Sequence, residues 1–197
     1  MQLHHAKYTE GNIKLSNAVI NFLGPELHLE KCIVESACEQ RALFISGLKM
    51  IGGKFAQISP LTNFQFEHAY FSKVRFSGNF IGCDFGDWQN PQFPLVEECD
   101  FTEATLDGCR FLNCDVQNIS FPKWPCFTML NPGAARSVVL SRQWPSKVGV
   151  VLDIYTDNDP KCVAVSGNAQ RLAEKNALTL DDFRQLLMTL PGIKIND

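Results

Sequence analysis

Across residues 99–121 large apolar side chains recur every fifth position, at Phe101, Leu106, Phe111, Val116 and Phe121. A second series sits two places before each of them, at Cys99, Ala104, Cys109, Cys114 and Ile119, and the positions between are mostly polar or small. A period of five matches neither the 3.6 of a helix nor the 2 of a flat strand. An internal repeat this regular predicts a stack of coils, each burying its apolar side chains against the next. Upstream the same register runs through Leu61, Phe66, Phe71, Phe76 and Ile81, with Ala69 and Val74 in the small place. Phe64 is large for that place and Asn79 is polar, so distorted corners are expected there. The motif then slips by one residue at Cys83-Asp84-Phe85, is interrupted by GDWQNPQFP, and resumes at Val96. Two prolines and a glycine exclude regular ladder pairing in that interruption. Farther upstream Cys38, Leu43 and Leu48 keep the spacing in degraded form, and residues 12–30 show short apolar alternations, together predicting irregular first coils.

The unit of a small residue followed two places later by a large apolar one resembles the pentapeptide-repeat family, whose repeat is A(D/N)LxX. The resemblance implies a mainly β fold, a right-handed parallel β-helix of square cross-section. Four pentapeptides, about twenty residues, make one coil, with centre and small residue inward and the rest facing solvent. Residues twenty apart would then stack at about 4.8 Å, placing Phe121 on Phe101, Val116 on Val96 and Ile119 on Cys99. About five to five and a half coils fit between Asn12 and Phe121 on that count.

At Pro122 the repeat stops. A strand is expected at 126–130, a helix at 132–141, a β-branched strand at 148–155, a polar turn at 156–160 and a short strand at 162–165. Two helices follow, at 168–176 and from Thr179 onward. Thr179 with Asp182 gives capping-box spacing, and Phe183, Leu186, Leu187 and Leu190 form an apolar stripe. The reading is two units: a β-helix over 1–121 and a small α+β element over 122–197, ending in a helical hairpin and packed on the open end of the coil.

Composition narrows the chemistry. The eight Cys include Cys99, Cys109 and Cys114 in the inward small place, where a thiol acts as a small hydrophobe. No C-x-x-C pair occurs, so neither a zinc site nor a redox pair is expected. Residues 1–10 have no apolar core of a signal peptide, and no apolar run approaches membrane-spanning length; the chain reads as cytoplasmic. The four His lie away from any nucleophile motif, so no catalytic residue, metal or cofactor is expected. Gly52-Gly53 lacks the lysine of a phosphate loop and reads as a coil corner; Asp157, Asn158 and Asp159 lack the glycine and distal glutamate of a calcium loop. Leu172–Leu187 has faint helix-turn-helix spacing, but Asp181 and Asp182 would open the recognition helix against phosphates, which disfavours direct nucleic-acid binding.

Net charge is −3. It is uneven: residues 1–121 carry −5 and residues 122–197 carry +2. Acidic side chains crowd the region of the repeat break. Asp84, Asp87, Trp88, Phe93, Glu97 and Glu98 are therefore the expected partner-binding residues, an exposed tryptophan and its acidic rim facing a basic protein surface such as a toxin or a nucleic-acid enzyme. The alternative at that point is a solvated acidic face with Trp88 and Phe93 folded back over the coil wall. The leading expectation is a non-catalytic module that binds and blocks a protein partner, with an immunity protein neutralising a bacterial toxin as the concrete form. Two others stay open: a DNA-mimicking regulator of a type II topoisomerase, as some members of the resembled family are, and a structural scaffold. The sequence leaves oligomeric state open.

Overall fold

The computed structural model of the chain describes residues 1–89 and 95–197. It is mainly β. The chain winds through parallel ladders in turn and forms a β-solenoid of about four turns. One ladder stacks Ala6–Thr9, Leu27–Glu30, Leu48–Ile51, Tyr70–Ser72 and Val96–Glu97; a second stacks Asn12–Leu15, Ile33–Ser36, Lys54–Thr62, Arg75–Ile81 and Asp100–Asp107. The remaining wall begins with Gln2–Leu3, Asn21–Leu23 and Leu43–Ile45. In later turns its place is taken by Gln65–Phe66, Asp84–Gly86 and Cys109–Leu112. Coiling thus starts at Gln2, earlier than the repeat suggests.

The core is built in columns. Leu29, Met50, Phe71 and Val96 occupy matched positions on successive strands, as do Val34, Phe55 and Phe76. Phe66, Phe85 and Phe111 form a third column, and Leu61, Phe80 and Leu106 a fourth, on the far halves of the long strands. Rings stack along these columns: Phe76 on Phe101 at 4.5 Å, Phe66 on Phe85 at 4.9 Å and Phe85 on Phe111 at 5.3 Å. Between columns they meet edge to face, so close packing and aromatic geometry act together.

Most turns are longer than a strict twenty-residue coil, Gln65 to Asp84 being one residue shorter. Lys54 pairs with Arg75, whereas Arg75 pairs with Asp100 and Asp84 with Arg110, the later offsets absorbing the interruption. The last step returns to the expected spacing: Asp100 bridges Ser120, and the Phe101 amide donates to the Ser120 carbonyl at 2.7 Å. Phe80, not Ile81, points inward, so the one-residue slip falls before Phe80. Gly78 (φ +100°) makes this corner; a Cβ there would overlap the Gln57 carbonyl oxygen. Gly53 (φ +82°) turns an equivalent corner against Cys32, as the paired glycines lead one to expect.

Beyond the last coil, Cys162–Asn168 pairs antiparallel with Cys109–Leu112, and Cys126–Leu130 and Ile193–Lys194 extend the same sheet. The exposed edge of the final rung is thereby covered. Four helices, α1 (Pro132–Leu140), α2 (Val148–Thr156), α3 (Ala169–Lys175) and α4 (Leu180–Leu187), enclose a second core around Phe127, Met129, Leu152, Phe183 and Leu187. Thr179 caps α4, accepting from the Asp182 amide at 3.1 Å.

Residues 148–155 are helix, not the expected strand. Their β-branched content favours a strand. Both edges of Cys162–Asn168 are already occupied, by Cys109–Leu112 and by Cys126–Leu130, so no ladder position beside it is open. As a helix the segment buries Val148, Leu152 and Tyr155 on one face, with the Tyr155 ring stacked on Phe127 at 5.9 Å.

Candidate partner-binding surface

Asp84 opens the strand Asp84–Gly86, and Arg110 sits opposite it on the next rung. The guanidinium holds the carboxylate from two directions, Nε to Oδ1 at 2.7 Å and Nη2 to Oδ2 at 2.8 Å. Trp88 Nε1 donates to the same Oδ2 at 3.3 Å. Asp84 is only 2% exposed, so its charge is neutralised inside the wall. These hydrogen bonds hold the Arg110 guanidinium above its ordinary pKa. Arg110 also lies 4.8 Å over the Trp88 ring, a cation–π contact.

Asp87 is buried as well. It accepts from the Gln89 amide at 2.8 Å and meets His68 Nδ1 at 2.9 Å. Its backbone carbonyl accepts from Asn113 Nδ2 at 2.8 Å, and the Trp88 carbonyl accepts from Lys161 Nζ at 2.7 Å. The start of the repeat break is therefore stapled both to the next coil and to the C-terminal element. Trp88 is half-buried and packs against the second core.

Of the expected site residues, Asp84 is buried on the outer side of the wall beneath Arg110 and Trp88, Asp87 is buried beside His68, Trp88 folds back over the wall, and Phe93 lies outside the described residues. Two carboxylates remain near the surface. Glu97 is half-buried and accepts from the Tyr70 hydroxyl at 2.6 Å, which raises the phenol pKa. Glu98 is exposed, with Lys73 at 3.7 Å. Glu97, Glu98, Asp115 and Asn118 line a shallow recess of about 190 Å³. Asp115 spends one oxygen capping the short turn at Val116–Asn118, accepting from the Gln117 amide at 2.9 Å.

Two surfaces escape a reading by charge alone. On the wall formed by Gln2–Leu3, Asn21–Leu23 and Leu43–Ile45, Phe22 and Phe44 are matched neighbours that point outward, Phe22 half-buried and Phe44 49% exposed, with Ile20 beside them 60% exposed. A buried lumen leaves outward places free of packing demands, so apolar residues there stand out only once inward and outward are known. On α2, Val150 and Ile154 are exposed, a feature hidden by reading the segment as a strand.

No protein-family model, no curated protein and no solved structure matches this chain. Among the described residues, no three His, Cys, Asp or Glu side chains group to hold a metal ion. No described helix is long and apolar enough to cross a membrane. All eight cysteines are free and buried. Burial pushes the Cys99 and Cys162 thiols up to about 11 and Cys114 up to about 12.

Proposed function

We propose that this chain is a non-catalytic protein-binding module that holds and blocks a protein partner. The observation that carries the reading is the outward apolar surface of Ile20, Phe22 and Phe44 on a wall whose strands are locked by parallel pairing. Such a wall presents side chains at fixed strand spacing and loses little conformational freedom on binding. Ile20 and Phe44 are exposed and Phe22 half-buried, and outward aromatic and branched side chains on a rigid face suit the centre of a protein interface. Glu97, Glu98 and the neighbouring Asp115 supply an acidic recess for a basic rim of the same partner or of a second one.

Within this reading we place the chain near the pentapeptide-repeat proteins. The four inward columns and the five-residue steps from Phe66 to Phe71 to Phe76 support that placement; the longer turns depart from it. An immunity protein that neutralises a toxin is the specific form we favour, acting in the cytoplasm, where eight free thiols would stay reduced.

Affinity capture from the native cell, with bound proteins identified by mass spectrometry, tests the reading. Phe44→Glu should abolish capture of the wild-type partner while leaving the melting temperature unchanged. Glu97→Lys with Glu98→Lys should slow association and weaken its salt dependence. A partner retained equally by all these variants would remove both surfaces from the interface.

A further inference from the structure

Helix α2 and its two flanking residues carry an exposed stripe: Lys147, Val150, Ile154 and Asp157. The spacing of three, four and three residues keeps all four on one face, opposite the buried Val148, Leu152 and Tyr155. Val150 is 63% exposed and Ile154 68%, high values for branched apolar side chains on a helix. Beside them runs a groove of about 380 Å³, lined by Leu140, Trp144, Gly149 and Val150 among others. Leu140 of α1 adds a third exposed apolar side chain, at 61%.

The order of these residues is self-complementary. Lys147 stands at the N-terminal end of the stripe and Asp157 at its C-terminal end, with the two apolar residues between. We infer that this face binds a second copy of the same chain, the two α2 helices running antiparallel about a two-fold axis that crosses the stripe midway between Val150 and Ile154. That axis sets Val150 against Ile154 of the second copy and Lys147 against Asp157 of the second copy, and repeats both contacts by symmetry. The groove beside Val150 receives the opposing Ile154. Antiparallel packing also sets the dipoles of the two helices in opposite directions side by side, the N-terminal end of each beside the C-terminal end of the other. Arg136 holds Asp157 at 2.8 Å, and Asp157 remains 71% exposed, so its carboxylate is steadied but free to meet a second cation. The Lys147 side chain makes no ion pair among the described residues.

Sedimentation velocity of the full chain across the micromolar to millimolar range tests this. The wild type should shift from monomer toward twice its mass as concentration rises. Ile154→Lys, at an exposed position, should keep the melting temperature and remain monomeric throughout. Lys147→Asp should weaken the dimer at least tenfold, and Lys147→Asp with Asp157→Lys should restore it. Because every native cysteine is buried, an equimolar mixture of Val150→Cys and Ile154→Cys variants reports the register: a heterodimer should form a disulfide faster than either variant alone. A wild type that stays monomeric throughout, or a dimer unaffected by Ile154→Lys, overturns the inference.

Discussion

Arg110 grips Asp84 through two parallel hydrogen bonds across matched positions of neighbouring rungs, at 2.7 and 2.8 Å. The pair also anchors Trp88, which donates to Asp84 and lies under the Arg110 guanidinium. The acidic residue that the sequence offers as a docking charge therefore serves to close the wall where the repeat is broken.

Arg110→Met should expose the cost of that arrangement. It leaves a carboxylate buried without its cation, and the loss expected is about 3 kcal/mol, the low end for a broken buried pair because Arg110 keeps a solvent-exposed side. Adding Asp84→Leu should recover most of the loss. Urea unfolding of the single and double variants measures it; equal stability of the single variant and wild type would show the pair to be energetically idle.

Trp88→Ala separates cover from interface. Trp88 is held by Asp84, Arg110 and packing on the second core, so removing it should lower stability by about 2 kcal/mol. A variant that kept its melting temperature but lost its binding partner would return Trp88 to the interface.

Cys109→Asp should be among the most damaging single changes, at about 4 kcal/mol or more, because it places a charge in a dry lumen. Cys109→Ala should cost far less. The comparison is made by thermal unfolding, and similar melting temperatures for the two would mean that water reaches the lumen.

Alkaline pH should destabilise the fold in a defined window. The thiols of Cys99 and Cys162 titrate at about 11 and that of Cys114 at about 12 in the folded chain, against 9.0 for an ordinary thiol. Below pH 9 both states keep these protons and no stability is lost. Above it the unfolded chain ionises first, so stability falls from about pH 9 up to about pH 11 through Cys99 and Cys162 and on to about pH 12 through Cys114, by up to about 1.4 kcal/mol for each unit and thiol. Unfolding free energies at pH 8 and pH 10 check the sign; no decline would mean that these thiols titrate alike in both states.

Leu187→Asp should destabilise the C-terminal element more than Leu186→Asp. Leu187 is buried in the second core, while Leu186 packs beside it half-exposed. Equal melting temperatures for the two variants would mean that the stripe of α4 faces the core differently.

The sequence alone determined that the chain is a stack of coils, because a five-residue period fits no other regular structure, and it marked Phe66, Phe71, Phe76, Phe101 and Phe111 as lumen residues. It also located α4 by its cap and stripe, since a cap acts within four residues. Three matters lay with the tertiary structure. Phe80 and Ile81 are nearly interchangeable by composition, and the Gly78 corner, set by its approach to Gln57 on the coil before, chose Phe80. The segment 148–156 is rich in β-branched residues, and with both edges of Cys162–Asn168 occupied it forms α2, which turns Val150 and Ile154 away from the buried Val148 and Leu152. Asp84 and Asp87 look like surface charges until Arg110, His68 and Asn113, distant in sequence, are brought beside them. Local spacing fixes what a few neighbouring residues can decide; the direction in which a charge or an apolar side chain points depends on which distant strand or helix occupies the adjoining space.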